Sequence, residues 1–311
     1  MTMKKKYQGV VVPLVTPLTE AYRLDVAAVE KMVSNLHTSE AMPFILGTTG
    51  EATSLPMSVK KAYVNEAAKL KSTGRQSADT ILYAGISANC LEESVEFANY
   101  CFDSGVDAVA ATLPCYYVLS EGQMKRYFEQ LADQLNGPMI IYNIFATTRM
   151  SIPIPVIDEL SHHPNIVGVK DSERSMDRLT ESVALWANRP DFSHFMGWAA
   201  RSAHAMLAGS DGLVPSTGNL FPAIYRDMLK AVQNGDEEKA FSCQNQSDVF
   251  GHLYQSGRTL GESLWALKVL MQEYGLCGTT MMPPLQPQSE QEETTLKTDL
   301  AELLAKEEIQ I

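Results

Sequence analysis

Residues 138–172 read PMIIYNIFATTRMSIPIPVIDELSHHPNIVGVKDS. Two short apolar runs, Met139 to Tyr142 and Ile166 to Val169, flank a segment from Pro155 to His162 with helical spacing and mixed polarity. That is the pattern of a parallel βαβ step whose strands are buried on both faces. The step repeats in both directions. Apolar runs at Val10 to Val15, Phe44 to Leu46, Ile81 to Ala84, Ala108 to Leu113, Phe192 to Met196 and Leu213 to Val214 bring the expected strands to eight. Helical segments separate them at Asp25 to His37, Ser58 to Lys71, Leu91 to Ser104, Ser120 to Leu135, Arg174 to Trp186 and Arg201 to Ala208. Strand ends at Leu113, Tyr142, Lys170 and Gly197 follow one another at intervals of 29, 28 and 27 residues, which suits one strand, loop and helix per step of an α/β fold of the (β/α)8 TIM barrel type. A doubly wound sheet alternates similarly, but it carries a glycine-rich phosphate turn after its first strand, and PLVTPLTEA at 13–21 is not one.

After Val214 the strands stop. Leu220 to Gln233, Glu237 to Gln255 and Leu260 to Tyr274 read as helices, so the expected organisation is a barrel over 1–219 carrying the active site and a C-terminal helical region over 220–311. The length of 311 residues fits one large domain with a smaller appendage. The last segment places Leu296, Leu300, Leu303 and Leu304 on one helical face. That face either docks on the body or a neighbouring subunit or belongs to a solvated tail.

The formal net charge is −12, with no basic cluster beyond Lys4 to Lys6, so the electrostatic footprint of a nucleic-acid binder is missing. No apolar stretch approaches the roughly 20 residues of a spanning helix, and no membrane is expected. Pro13 and Pro17 interrupt the apolar start, which reads as a first strand rather than a leader. Five cysteines, at 90, 101, 115, 243 and 277, include no CxxC pair; reduced thiols and a cytoplasmic location follow as expectations. The six histidines show no ligand-like grouping with carboxylates, so no metal is expected. Dinucleotide, P-loop, HExxH and GxSxG motifs are absent from the sequence.

In a barrel, chemistry sits where strands end. The polar residues there are few: Thr48 and Thr49 in GTTGE (47–51), Tyr116 and Tyr117 in PCYY (114–117), Tyr142, and Lys170. Lys170 ends an apolar run, so partial desolvation favours its neutral amine, which attacks carbonyls to form a Schiff base. Taken alone, a strand-end lysine is more often a solvated charge. Tyr142, on the neighbouring strand, either passes protons at that imine or is a core tyrosine satisfied locally. GTTGE offers hydroxyls and backbone N–H groups that hold a small carboxylate without a cation, or is simply a glycine-permitted turn. Of the two adjacent tyrosines, one ring packs while the other projects.

In order and spacing, GTTGE, PCYY, Tyr142–Asn143, GVKDS around Lys170 and AGSDGLVPSTGN from Ala208 resemble the dihydrodipicolinate synthase and N-acetylneuraminate lyase superfamily of Schiff-base (β/α)8 enzymes, from about Gln8 to Tyr274. The resemblance implies that Lys170 captures pyruvate and that Tyr142 gives and takes protons. It implies that Thr48 and Thr49 hold the pyruvate carboxylate, with Thr49 also a relay hydroxyl. Tyr117 would be a relay tyrosine contributed across a dimer interface in a dimer of dimers, and the Val214 backbone would lie against pyruvate. No cofactor is implied beyond the covalent Schiff base through Lys170.

Departures bear on the second substrate. The synthase branch has an arginine five residues beyond the catalytic tyrosine; here that residue is Thr147, which cannot grip a carboxylate in two places, with Arg149 two residues later. The sialic-acid branch has acidic residues after strand seven; here the stretch is Gly197, Trp198, Ala199, Ala200, Arg201. Phe145 stands where many members have proline, and with Trp198 it suggests a less polar pocket, while Ser216 keeps a hydroxyl near its mouth. The expected function is a metal-independent lyase that cleaves a 2-keto acid, for instance a 2-keto-3-deoxy sugar acid, to pyruvate and an aldehyde, or the reverse. The alternatives are dihydrodipicolinate synthase activity on pyruvate and aspartate semialdehyde, and a non-catalytic keto-acid-binding homologue.

Overall fold

A computed structural model describes residues 5–73 and 80–307; Lys4 of the basic cluster and residues 308–311 of the last segment lie outside the described residues. Eight parallel strands close into one barrel in chain order: β1 (Gly9–Pro13), β2 (Met42–Ile45), β3 (Tyr83–Gly85), β4 (Ala108–Ala111), β5 (Met139–Asn143), β6 (Ile166–Asp171), β7 (Ser193–Met196) and β8 (Gly212–Leu213). Closure is made where Gly9 pairs with Gly212 and Val10 with Leu213. Alternate residues face opposite ways along each strand. Val11, Phe44, Tyr83, Ala110, Ile140 and Phe195 fill the barrel, whereas Val10, Val12, Ile45, Ala84, Val109, Ile141 and Val169 pack outward under the helices.

Between the strands run α1 (Val26–Thr38), α2 (Met57–Ser72), α3 (Leu91–Asp103), α4 (Glu121–Asp133), the short α5 (Phe145–Thr148), α6 (Ile154–Leu160), α7 (Met176–Trp186) and α8 (Ser202–Ala208). Local sequence explains several of their starts: Asp25 accepts from Ala28 N, Ser175 from Arg178 N, and Ser120 forms a capping box with Gln123. α9 (Pro222–Gln233) packs on β1 between α8 and α1, the place of the eighth barrel helix. α10 (Glu237–Gln255), α11 (Leu260–Glu273) and α12 (Glu290–Glu307) follow. The last segment docks: Leu296 and Leu300 are buried, Leu303 and Leu304 lie against the core, and α12 packs on α11 and α10. All five cysteines are unpaired. No described helix is long and apolar enough to cross a membrane.

Two departures from regular geometry shape the barrel mouth. Met139 pairs with Ile166 but Ile140 pairs with Gly168, so the register shifts at Val167. The extra residue turns Lys170 onto the inner face beside Tyr142, as bulges near functional sites do. Leu46 leaves β2 with φ of 58° and leads into the GTTGE turn, and its carbonyl lies against Gly85 of β3. A Cβ on Gly85 would come within 2.1 Å of Leu46 O. We therefore expect Gly85→Ala to force the two backbones apart and destabilise the protein by about 1–3 kcal/mol, measured by urea unfolding; unchanged stability would show that the contact relaxes freely.

Candidate active site

The register of β5 on β6 makes Tyr142 and Lys170 direct neighbours, both on the inner face and both buried. The Lys170 ammonium lies 3.8 Å from the Tyr142 ring centroid and 5.0 Å from that of Phe44. Burial alone would raise the Tyr142 phenol, but the Lys170 charge and hydrogen bonding with Thr48, Lys170 and Ser172 outweigh it and hold the phenol below its usual value. One residue further on, the register sets Asn143 against Asp171. Asn143 Nδ2 donates to Asp171 Oδ1 and Glu173 Oε2, both at 3.0 Å, and its Oδ1 accepts from Ile152 N. Arg178 Nε donates to Asp171 Oδ2 at 2.6 Å. This buried lattice locks the two strand ends and fixes the spacing of the reactive pair.

GTTGE forms a tight turn, with Gly50 N donating to Gly47 O and Glu51 N to Thr48 O. Thr48 Oγ1 lies 3.2 Å from Tyr142 OH. The hydroxyl that meets the phenol thus belongs to Thr48, not to Thr49, where the relay was expected: adjacent turn residues point different ways, and Thr49 instead lines the chamber beside it. The turn is held from beneath. Glu51, with φ of 57°, buries its carboxylate completely against the Lys268 ammonium of α11. Its Oε2 accepts from Met282 N at 2.9 Å, and Lys268 Nζ donates to Thr280 O at 2.8 Å.

Above this floor opens a chamber of about 680 Å³. It brings together Thr48, Thr49, Tyr142, Lys170, Gly197, Ala199, Val214 and Ser216. Gly197 keeps the floor open, since a Cβ there would strike Ser172 Oγ at 2.0 Å. Three expected residues are not in the chamber. Phe145 is exposed on α5, Thr147 lines an adjoining cavity under Leu260 and Leu285, and Tyr117 projects from its loop, 74% exposed, with its ring edge-on to Tyr116. Arg149 caps α5 in the left-handed region and does not line the chamber either.

Sequence reasoning missed the outer wall: Arg174 after β6, Asp248 and His252 of α10, Tyr254, and Arg258 before α11. The signal for it is a helical period of Ser247, Gly251 and Tyr254 on one face of a helix that otherwise packs on the body, with Arg258 in the turn that follows. Among the described residues no group of His, Cys, Asp or Glu is arranged to hold a metal.

Comparison with known proteins places this geometry. The model of the dihydrodipicolinate synthetase family matches residues 6–303. The putative 2-dehydro-3-deoxy-D-gluconate aldolase YagE of Escherichia coli (strain K12) is 26% identical over 310 residues, covering 97% of this chain and 99% of that protein. Its structure in complex with pyruvate superposes with a TM-score of 0.87 at 25% identity, over 96% of this chain and 98% of that one. A dihydrodipicolinate synthase from Bacteroides thetaiotaomicron superposes with a TM-score of 0.89 at 26% identity, over 96% and 100% of the two chains. A DapA-like lyase of Thermococcus onnurineus (strain NA1) is 28% identical over 284 residues, 90% of this chain and 92% of that protein. The barrel and the resemblance expected from motif order are both borne out.

The buried pair under the turn yields a stability test. Lys268→Met leaves the Glu51 carboxylate enclosed without its cation and should cost about 3–5 kcal/mol. Neutralising both partners in Glu51→Gln/Lys268→Met should recover most of that loss. Equal urea midpoints for the single and double variants would refute the pairing.

Proposed function

The chain belongs to the dihydrodipicolinate synthetase family, and from that premise we propose that it is a pyruvate-dependent Schiff-base lyase, cleaving a 2-keto acid to pyruvate and an aldehyde or running the reverse condensation. The observation that carries this reading is the buried Lys170–Tyr142 pair, one on each of two hydrogen-bonded strands, with Thr48 on the phenol. As phenolate, the form the neighbouring charge favours, Tyr142 accepts a proton from the Lys170 ammonium. The freed amine attacks the C2 ketone; Tyr142 then returns its proton to the carbinolamine hydroxyl, which leaves as water, giving the iminium and restoring the phenolate. The substrate carboxylate rests on the hydroxyls and N–H groups of Thr48 and Thr49, and its three-carbon end lies against the Val214 backbone. Tyr142, through Thr48, removes the proton of the C4 hydroxyl; the C3–C4 electron pair passes into the iminium, giving an enamine and a free aldehyde. Protonation of the enamine at C3 and addition of water to the imine release pyruvate and regenerate the amine. Every bond change is accommodated by groups of the chain and water, and the reading calls for no cofactor.

The finer assignments belong to the same proposal. The strands and loops within 1–219 carry the chemistry; the region 220–311 supplies the eighth barrel helix, α9, and walls the chamber through α10 and α11. Tyr117 acts as a relay across a dimer interface; the neighbouring exposure of Tyr116, Tyr117 and Val118, at 78%, 74% and 85%, supports a partner subunit covering that loop in a dimer of dimers. Five unpaired cysteines support a cytoplasmic location. Condensation with aspartate semialdehyde is less favoured, because Thr147 stands where the synthase branch has its arginine and lies outside the chamber, as does Arg149. We expect borohydride added with pyruvate to fix a covalent adduct on Lys170. Lys170→Ala should abolish it, and Tyr142→Phe should slow its formation by about a hundredfold or more, as the 10²–10⁴ range of general acid–base catalysis implies. Mass spectrometry that finds no adduct in the unaltered protein removes the mechanism.

A further inference from the structure

The outer half of the chamber carries a charge pattern that the pyruvate half does not need. The keto-acid carboxylate is seated at the GTTGE turn without any cation. The same chamber is also lined by Arg174 and Arg258 and by a single carboxylate, Asp248. Arg258 is already paired with Glu292, so in this chain of net charge −12 the guanidinium of the lining that has no carboxylate partner among the described residues is Arg174.

Arg174 stands four residues beyond Lys170, on the loop from β6 to α7. The acids beside it are engaged elsewhere. Asp171 is bound by Arg178 and Asn143, and Glu173 Oε2 accepts from Asn143 Nδ2 and, at 2.6 Å, from Ser151 Oγ. Among the described residues no carboxylate pairs with Arg174 in the unliganded chain. Arg258 is fixed in place instead: its Nε donates to Glu292 Oε1 of α12 at 3.0 Å and its Nη1 to Leu253 O at 3.1 Å. Its Nη2 has no protein partner among the described residues. Asp248 Oδ1 accepts from Gln244 at 2.8 Å, leaving Oδ2 to accept from a hydroxyl. A guanidinium fork matches a carboxylate or phosphate in shape and charge. Two such donors in a chamber whose GTTGE turn already satisfies one carboxylate imply a ligand with a second anionic group.

Resting on the lyase reading above, we propose that the aldehyde half of the substrate is itself anionic, a hydroxylated aldehyde ending in a carboxylate or a phosphate, held by Arg174 and the open edge of Arg258. The guanidinium that grips it comes from the loop after β6 rather than the loop after β5. Asp248 accepts from one of the hydroxyl groups between the breaking bond and the anionic end.

Pyruvate release from three 2-keto-3-deoxy hexonic acids that differ only at C6, as hydroxymethyl, carboxylate or phosphate, tests this on the full-length protein. One of the two anionic substrates should exceed the neutral one in kcat/KM by at least tenfold, and which one does so separates carboxylate from phosphate. Arg174→Ala should collapse that ratio at least tenfold, through KM rather than kcat, and Arg174→Lys should restore part of it. Borohydride trapping with pyruvate is run on the same preparations. Failure to label Lys170 in the unaltered protein defeats the lyase reading itself. Labelling in both the unaltered protein and Arg174→Ala shows that both fold and form the imine. In that case a ratio near one, a ratio that survives Arg174→Ala, or no turnover of either anionic substrate overturns the present proposal alone.

Discussion

The structure depends on one register: Tyr142 of β5 directly opposite Lys170 of β6. An ammonium inside an apolar barrel is costly unless something nearby compensates it. Here the faces of Tyr142 and Phe44 do so, with the phenol as a proton partner. Parallel pairing, the shift at Val167 and the Asn143–Asp171–Arg178 lattice all act on that spacing. Moving either strand by one residue would turn the pair to opposite faces, because side chains alternate with period two. The chemistry therefore follows from strand order and parity before any loop is considered.

That dependence explains what could be read without coordinates. The eight strands and the 28-residue step from Tyr142 to Lys170 were legible because buried parallel strands are continuous apolar runs of unmistakable composition. The helix starts expected at Asp25 and Ser120 fall on the capping residues themselves, and the one expected at Arg174 falls one residue before its cap, Ser175. The four-residue α5, the bulge at Val167 and the assignment of the phenol-bonding hydroxyl to Thr48 were not, since each depends on a backbone direction that residue type does not encode. Nor was the position of Phe145 and Thr147 outside the chamber, because α5 turns the chain away immediately after Asn143. Tyr117 could be placed by resemblance only, since its ring stands in solvent within one subunit.

The C-terminal helices looked from sequence like an appendage, and packing makes them part of the site. Glu51 belongs to the GTTGE turn, yet its counter-charge comes from Lys268 and its second oxygen is held by Met282 N. Buried ion pairs of this kind contribute little net stability over an apolar substitute, because desolvation consumes most of the attraction. What they fix is position. A carboxylate that has only one cation within reach, and a backbone N–H as second partner, has one low-energy arrangement. That arrangement holds residue 51 in the left-handed region, and hence the two threonines before it.

The same logic extends to the far wall. Arg258 reaches the chamber only because Glu292 and Leu253 O hold two of its three nitrogens, and Glu292 is where it is because Leu296 and Leu300 anchor α12 against the body. A loss of apolar contact at Leu296 therefore propagates to the charge facing the substrate, through one helix and one ion pair. Arg174 has no such brace: its neighbours spend their hydrogen bonds on Asn143, Ser151 and Arg178. One guanidinium is held by protein partners and the other, among the described residues, is not, so the chamber combines a braced donor with an unbraced one.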